Sequence, residues 1–531
     1  MPVISEYDQN ISSSQFHFSP HFLLFCRRGL LLLILQRFCR IPVTFLYNFT
    51  GGIVMDFDLS KRYCYYFRQL SLIPRGSRNE KAASDYICSV AEALGLPYKQ
   101  DHVYNVIVDK PASDGYENSD PIILQAHIDM VCEKERGIDH DFERDPIELI
   151  CEDGWLKARG TTLGADDGAG AAYMLAILED SSIAHPPLEC IFTVQEEIGL
   201  LGAAELHPED LHGHRYISLD GSGVGTTEVA CAGAVTARIS QKVKDIPSSL
   251  PLYELSVSGL LGGHSGGKIH MERGNANIIA GRILKEAQLA GLNVTLSSLQ
   301  GGSKENAIAR EAQFRFVSDA SEQALKKQIE TSTAEITAEY RYSEPDLTIT
   351  VHEINEPASS FSQDISDRLL NYLFLTPDGF LHRSVVIRDL TTASLNLGIV
   401  SRHEDTVEFT AMIRAADDSQ RRHIGEMLGT LADMLGMEKD IPEGYPGWAY
   451  EKESSLRRLM KKAVESRGFR FEECATHGGL ECGIIKGLDP QMDIITLGPI
   501  TMDIHSPKER MDLKSFDDAY EILLDILRNC R

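Results

Sequence analysis

From Met55 onward, short apolar runs alternate with segments of helical period. This alternation restricts the chain to a sheet covered by helices on both faces. "AASDYICSVAEALGLP" sets Ile87, Val90, Ala91 and Leu94 at helical spacing and stops at Gly95 and Pro97. "NVIVDK" and "PIILQAHI" read as strands. "ADDGAGAAYMLAILED" reads as a helix with Ala171, Met174, Leu175 and Leu178 on one face, and "LECIFTVQEE" and "YISLD" read as strands again. The expected class is α/β, a mixed β-sheet flanked by helices.

The pattern changes near Cys231. In "LYELSVSGL", Tyr253, Leu255 and Val257 alternate with Glu254, Ser256 and Ser258, the mark of a half-buried antiparallel strand. Two-sided strands such as "TVEFTAMIRA" continue between helices to about Glu443. After "GYPGW" the α/β style returns, with "MDIITLG" as a strand. A closing helix follows that aligns Phe516, Tyr520, Leu523 and Leu527. The expected organisation is an α/β domain in two parts, 55–232 and 444–531, interrupted by an α+β insertion over 233–443. The insertion is long enough for two copies of a smaller unit, yet no internal repeat is plain in its residues.

Bulk properties exclude some functions. The 531 residues hold 52 Lys and Arg against 78 Asp and Glu, a formal charge of −26, which argues against a nucleic-acid or anionic-membrane surface. The 11 cysteines form no C-x-x-C pair, so neither a disulfide framework nor a thiolate zinc cluster is expected, and a reducing, cytoplasmic setting is the simplest inference. Residues 1–54 are rich in Leu, Phe and Arg, but their longest uncharged apolar run, Gly29 to Leu35, falls short of the roughly 20 residues that span a bilayer. They are read as an extension outside the fold, such as a misassigned start, with a targeting segment as the competing reading.

Five segments of the α/β portion end in carboxylates or histidines. They are "AHIDM" (His127, Asp129), "TTLGADDGAG" (Asp166, Asp167), "TVQEEIG" (Glu196, Glu197), "YISLDGSG" (Asp220) and "MDIHSPKERM" (His505). Each alone has an ordinary reading as a turn, a capped strand or a solvated edge. Together, at like ends of one sheet, they would repel one another unless a cation compensated them. Imidazole plus carboxylate without thiolate suits Zn²⁺, Co²⁺ or Mn²⁺, and the set suffices for two ions sharing a bridging carboxylate. His127 and Asp129 lie two apart on an extended strand and so share a face. One can ligate while the other orients it. In Glu196-Glu197 the side chains diverge, leaving one for a metal and one as a general base.

These residues resemble the zinc-dependent aminopeptidase and aminoacylase superfamily with co-catalytic metals. Within it they look like the aminoacyl-histidine (Xaa-His, cytosol non-specific) dipeptidases. "QAHIDMV", "KARGTTLGADDG", "GGHSGG", "GNAN", "SLNLGIV", "YPGW" and "HGGLECG" carry the resemblance, which runs from about residue 56 to the end. It implies that the insertion is a lid and that unblocked dipeptides are hydrolysed through a metal-bridged water. It implies Asp166 as the bridging ligand, His127 and Asp220 on one ion, Glu197 and His505 on the other, Glu196 as base and Asp129 as orienter. The family often has Asn where this chain has Asp167, which leaves both carboxylates as ligand candidates, with Asp166 the expected one. By the same resemblance His264 stabilises the oxyanion, Arg414 clamps the terminal carboxylate, and Asn306, His477 and Glu481 line the substrate pocket. A homodimer is implied as well, without support from these residues. Tripeptides or N-acyl amino acids as substrates, a non-catalytic metal-binding homologue and a structural acidic protein are the alternatives.

Overall fold

The computed structural model describes residues 57–531, so the reading of residues 1–54 lies outside the described residues. One sheet has six strands in the order Tyr98–Gln100, Val106–Lys110, Leu188–Thr193, Ile122–His127, Arg215–Ser218, Asp493–Thr496. The last four run parallel to one another, and the first two close one edge in antiparallel pairing. Ile122–His127 and Leu188–Thr193 are buried at every residue, as strands covered on both faces must be. This is the mixed α/β sheet that the alternation implies.

Helices Arg62–Ser71, Ala165–Glu179 and Leu513–Asn529 pack together through an aromatic cluster of Tyr63, Tyr173, Phe516 and Tyr520. Helix Glu481–Leu488 covers the opposite side, where Ile485 packs with Ile123, Ile191 and Tyr216. Ala165–Glu179 departs from its expected single apolar face. It is buried on every side from Asp167 to Leu178. The Gly/Ala-rich first turns permit this, since a Cβ at Gly170 would stand 2.5 Å from the Leu219 Cβ. The same helix start carries Asp166, so close packing here fixes part of the candidate site.

The insertion builds a nine-stranded antiparallel sheet, and it contains two copies of one unit. The outer copy runs Gly233–Lys242, helix Gln363–Leu375, Thr391–His403, Thr406–Ala415, helix Asp418–Leu435, Glu438–Asp440. The inner copy, nested after the first strand of the outer one, runs Leu252–Ser258, helix Ala276–Leu289, Thr295–Gly301, Ala312–Val317, helix Glu322–Tyr340, Thr348–Ile354. Each is β-α-β-β-α-β, and in each the strands lie in the order fourth, first, third, second. The copies join through their second strands, antiparallel, at Gly301 and Val400. Pairing equivalent strands in opposite directions relates the copies by an approximate two-fold axis. Gly379–Arg383 pairs with the remainder of the Thr391–His403 edge. One core runs beneath both copies, including Leu255, Phe314 and Phe316 of the inner and Leu373, Phe409 and Ile413 of the outer.

The equivalent first helices of the two copies meet where a Cβ at Gly281 would stand 2.6 Å from the Leu373 Cβ. Gly281→Val should therefore force these helices apart and lower stability by about 1–3 kcal/mol. Chemical denaturation of the purified variant measures this as a lowered midpoint.

Candidate active site

Parallel strands bring their carboxyl ends to one edge of a sheet. At that edge Ile122–His127 delivers His127 and then Asp129. Leu188–Thr193 leads through Gln195, in the left-handed region at φ 55°, to Glu196 and Glu197. Arg215–Ser218 delivers Asp220. Asp166 comes from the start of helix Ala165–Glu179, and His505 from a loop beyond Asp493–Thr496.

These groups meet. His127 Nε2 is 3.0 Å from Asp166 Oδ1, and His505 Nε2 is 3.2 Å from Asp166 Oδ2 and 3.0 Å from Glu197 Oε2. Asp166 thus offers one oxygen to each histidine. Ligand atoms of His127, Asp166 and Glu197 lie within 4.8 Å of one another, a spacing a single ion can bridge. Asp220 and Glu196 are half-buried, within electrostatic reach of His127 and Asp166. Asp167 points elsewhere, its Oδ1 accepting the Gly170 N–H at 3.0 Å.

The electrostatics call for positive charge. Among the described residues none of Asp166, Glu196, Glu197 and Asp220 pairs with Lys or Arg. Burial pushes the Glu196 and Asp220 carboxyls well up, and neighbouring carboxylates add to it. Burial opposes ionisation of Asp166 too, but the two histidines hold it far below the usual range. Hydrogen bonds to Asp166 and Glu197 push His505 up to about 10. His127 is also raised, its bonds to Asp129 and Asp166 outweighing burial.

Several side chains hold this arrangement. Asp129, fully buried, accepts the Glu196 and Glu197 N–H groups at 3.0 and 3.2 Å and the Ser77 hydroxyl at 2.8 Å, with Oδ1 3.4 Å from His127 Nδ1. One carboxylate therefore orients both the histidine and the Glu-Glu turn. Glu509 accepts the N–H groups of Leu163, Gly164 and Ala165 at 2.7, 3.0 and 2.8 Å, tying down the loop before Asp166. Buried Arg75 donates to the carbonyls of Ile128, Asp129 and Gly164. Reasoning from sequence missed Ser77, Arg75 and Glu509. Glu509 lies four residues past His505 in a charged stretch that reads as surface.

The second group of residues comes mostly from the insertion. His264 lies on a short strand whose partner is Ala307, and the Asn306 carbonyl accepts the Ser265 N–H at 2.8 Å. Buried Glu344 ties both ends of this loop, accepting from Leu261 at 2.7 Å and Gly274 at 2.9 Å. His264 Nδ1 accepts from the Gly266 and Gly267 N–H groups, each at 3.2 Å. Burial and the Arg414 charge push its imidazole down. A neutral ring with Nδ1 as acceptor carries its proton on Nε2, which leaves a donor free. His477 Nε2 meets the Ser394 hydroxyl at 2.7 Å, and burial together with Arg414 pushes this histidine down to about 3. Arg414 is 5% exposed and, among the described residues, bonds only to hydroxyls, Ser265 Oγ at 3.4 Å and Tyr445 at 3.3 Å. Tyr445 also lies within electrostatic reach of Glu196, which links the two groups.

Glu481, expected in the pocket lining, lies within electrostatic reach of Glu196 and His127. It is 4% exposed, and Gln125 and Thr193 donate to its carboxylate from neighbouring strands. Starting a helix that packs on the sheet draws it into the core, where burial raises it to about 7.

Two outcomes follow. Glu509→Ala strands four backbone N–H groups, those of Leu163, Gly164, Ala165 and Asp166, and should weaken metal affinity about 10–100-fold, read by titration with Zn²⁺. Ligation requires a neutral imidazole, and His505 without metal holds its proton up to about 10. Metal uptake at neutral pH should therefore release protons, and affinity should rise as pH climbs toward that value. Calorimetry in buffers of different protonation enthalpy measures both.

The family model for peptidase family M20/M25/M40 matches residues 123–529. The cytosol non-specific dipeptidase of Escherichia coli (strain K12) is 33% identical over 467 residues, covering 87% of this chain and 96% of that protein. The solved aminoacylhistidine dipeptidase from Vibrio alginolyticus superposes with a TM-score of 0.82 at 32% identity, over 90% of this chain and 98% of that one. An aminopeptidase from Bacillus cereus, with a TM-score of 0.51 at 17% identity over 88% of this chain and 98% of that one, shares the fold alone. With a histidine-carboxylate cluster at the ends of parallel strands and a match over most of its length, the chain belongs to peptidase family M20/M25/M40.

Proposed function

We propose that the chain is a metal-dependent dipeptidase that hydrolyses unblocked dipeptides, Xaa-His among them. The observation that carries this is the Asp166 carboxylate, with one oxygen on His127 and the other on His505, inside a cluster of carboxylates that has no Lys or Arg partner among the described residues. Such a cluster suits two divalent ions, most simply Zn²⁺ and in its place Co²⁺ or Mn²⁺. His127, Asp166 and Asp220 would hold one ion, and Asp166, Glu197 and His505 the other. Bound there, the ions supply acidification of a water and polarisation of the scissile carbonyl.

The remaining work falls to the protein. Glu196, half-buried and pushed up by desolvation, takes a proton from the attacking water and returns it to the leaving amine. His264 donates from Nε2 to the oxyanion, a contribution of ~3 kcal/mol in comparable sites. Arg414, a buried cation without a carboxylate partner among the described residues, receives the terminal carboxylate of the substrate. Asn306 and His477 stand beside these groups as pocket walls. A clamp at fixed distance from the cluster selects substrates of two residues. The relatives named as dipeptidases support this reading.

A cytosolic setting belongs to the same proposal, supported by the name of the Escherichia coli relative and by the absence of disulfides among the nine cysteines of the described residues. So does a homodimer, although every residue named here lies in one chain. No described helix is long and apolar enough to cross a membrane.

A panel of free dipeptides, tripeptides and N-acyl amino acids tests the substrate class, with turnover confined to dipeptides as the expected result. Glu196→Ala should keep its metal yet lose activity by about 10²–10⁴-fold. Near-normal turnover in that variant would exclude the mechanism.

A further inference from the structure

Two motifs, "YPGW" and "HGGLECG", have no task in the metal chemistry, and in the structure they meet. Tyr445 to Trp448 lie in the irregular segment by which the chain returns from the insertion to the α/β domain, held by two isolated antiparallel bridges. It pairs with the outgoing crossing: Cys231 and Trp448 exchange N–H···O bonds of 2.9 and 3.0 Å, and Ala234 and Tyr445 exchange bonds of 3.1 and 3.0 Å. This segment runs through a slot lined by glycines. A Cβ at Gly233 would stand 2.5 Å from the Gly447 nitrogen, one at Gly483 2.7 Å from the Pro446 carbonyl, and one at Gly479 2.6 Å from the Tyr445 hydroxyl. Any side chain at these positions displaces the segment, so the glycines leave the Tyr445 ring one place to lie.

From that place the Tyr445 hydroxyl accepts a hydrogen bond from Arg414 Nη1 at 3.3 Å. The other tie on the guanidinium is the Ser265 hydroxyl, next in sequence to His264. Both partners are neutral. They orient the fork of Arg414 and leave its charge uncompensated, in a position that is 5% exposed. A planar guanidinium recognises a carboxylate through two parallel bonds only when its plane is held.

We propose that Tyr445 is a positioning residue that holds Arg414 in register for the substrate's α-carboxylate, so that the returning segment itself sets the preference for a free C-terminus. This rests on the reading of Arg414 as the carboxylate clamp. Tyr445→Phe removes the hydroxyl and keeps the ring in its slot. With a dipeptide as substrate, KM should rise about tenfold while kcat stays within about twofold. The C-terminal amide of the same dipeptide, measured as a competing ligand, should bind as before. The preference for acid over amide then falls by the same tenfold. Gly479→Ala, which pushes the ring aside with its hydroxyl intact, should give the same signature. A purely structural role would instead weaken acid and amide alike, and that result, or an unchanged preference in Tyr445→Phe, overturns the proposal. Arg414→Met separates the two readings. Loss of the acid preference in Arg414→Met with its retention in Tyr445→Phe rejects the role of Tyr445 alone. Retention of the preference in Arg414→Met rejects the clamp itself.

Discussion

Negative charge without a Lys or Arg partner among the described residues, held at the ends of parallel strands, is the constraint on which the rest of the structure depends. Parallel pairing brings the ends of Ile122–His127, Leu188–Thr193 and Arg215–Ser218 to one edge. The sequence of this chain then loads that edge with carboxylates. Left to themselves these groups would repel or take up protons, and the raised His127 and His505 express that demand. Asp129, Glu509 and Arg75 act through backbone groups, which is why they hold the cluster together without adding a positive charge to its centre.

The insertion presents the opposite sign under the same condition. Arg414 is buried and, among the described residues, bonded only to hydroxyls, so it too lacks a counter-charge. An unpaired charge in the interior is costly. In the proposed reading one small substrate answers both demands, its scissile group at the carboxylate cluster and its terminal carboxylate at Arg414. The nested second copy of the β-α-β-β-α-β unit supplies the loop with His264 and Ser265, and the outer copy supplies Arg414. Joined in one sheet with one core, the two copies hold these residues in a common frame.

Much of this was legible before any coordinates. The mixed α/β class, the antiparallel character of Leu252–Ser258, the closing helix and the convergence of His127, Asp166, Glu197 and His505 all follow from apolar period and from where the ionisable residues interrupt it. The internal repeat was hidden because it resides in the order of elements and strands, which many unrelated residues can satisfy. The helix Ala165–Glu179 was read as one-sided because a period of small residues does not say how many neighbours approach.

What the sequence determined by itself is the chemistry: which residue types stand at strand ends, and that imidazole and carboxylate rather than thiolate are gathered there. Tertiary structure alone decided direction and partnership. It turned Asp166 toward both histidines and Asp167 toward the Gly170 amide, drew Glu481 into the core, and brought Glu509 back to a loop more than three hundred residues earlier in the chain. Local pattern records the period of the backbone and the polarity of each position. The direction of a side chain leaving a loop is set by what packs against it, and that comes from distant parts of the chain.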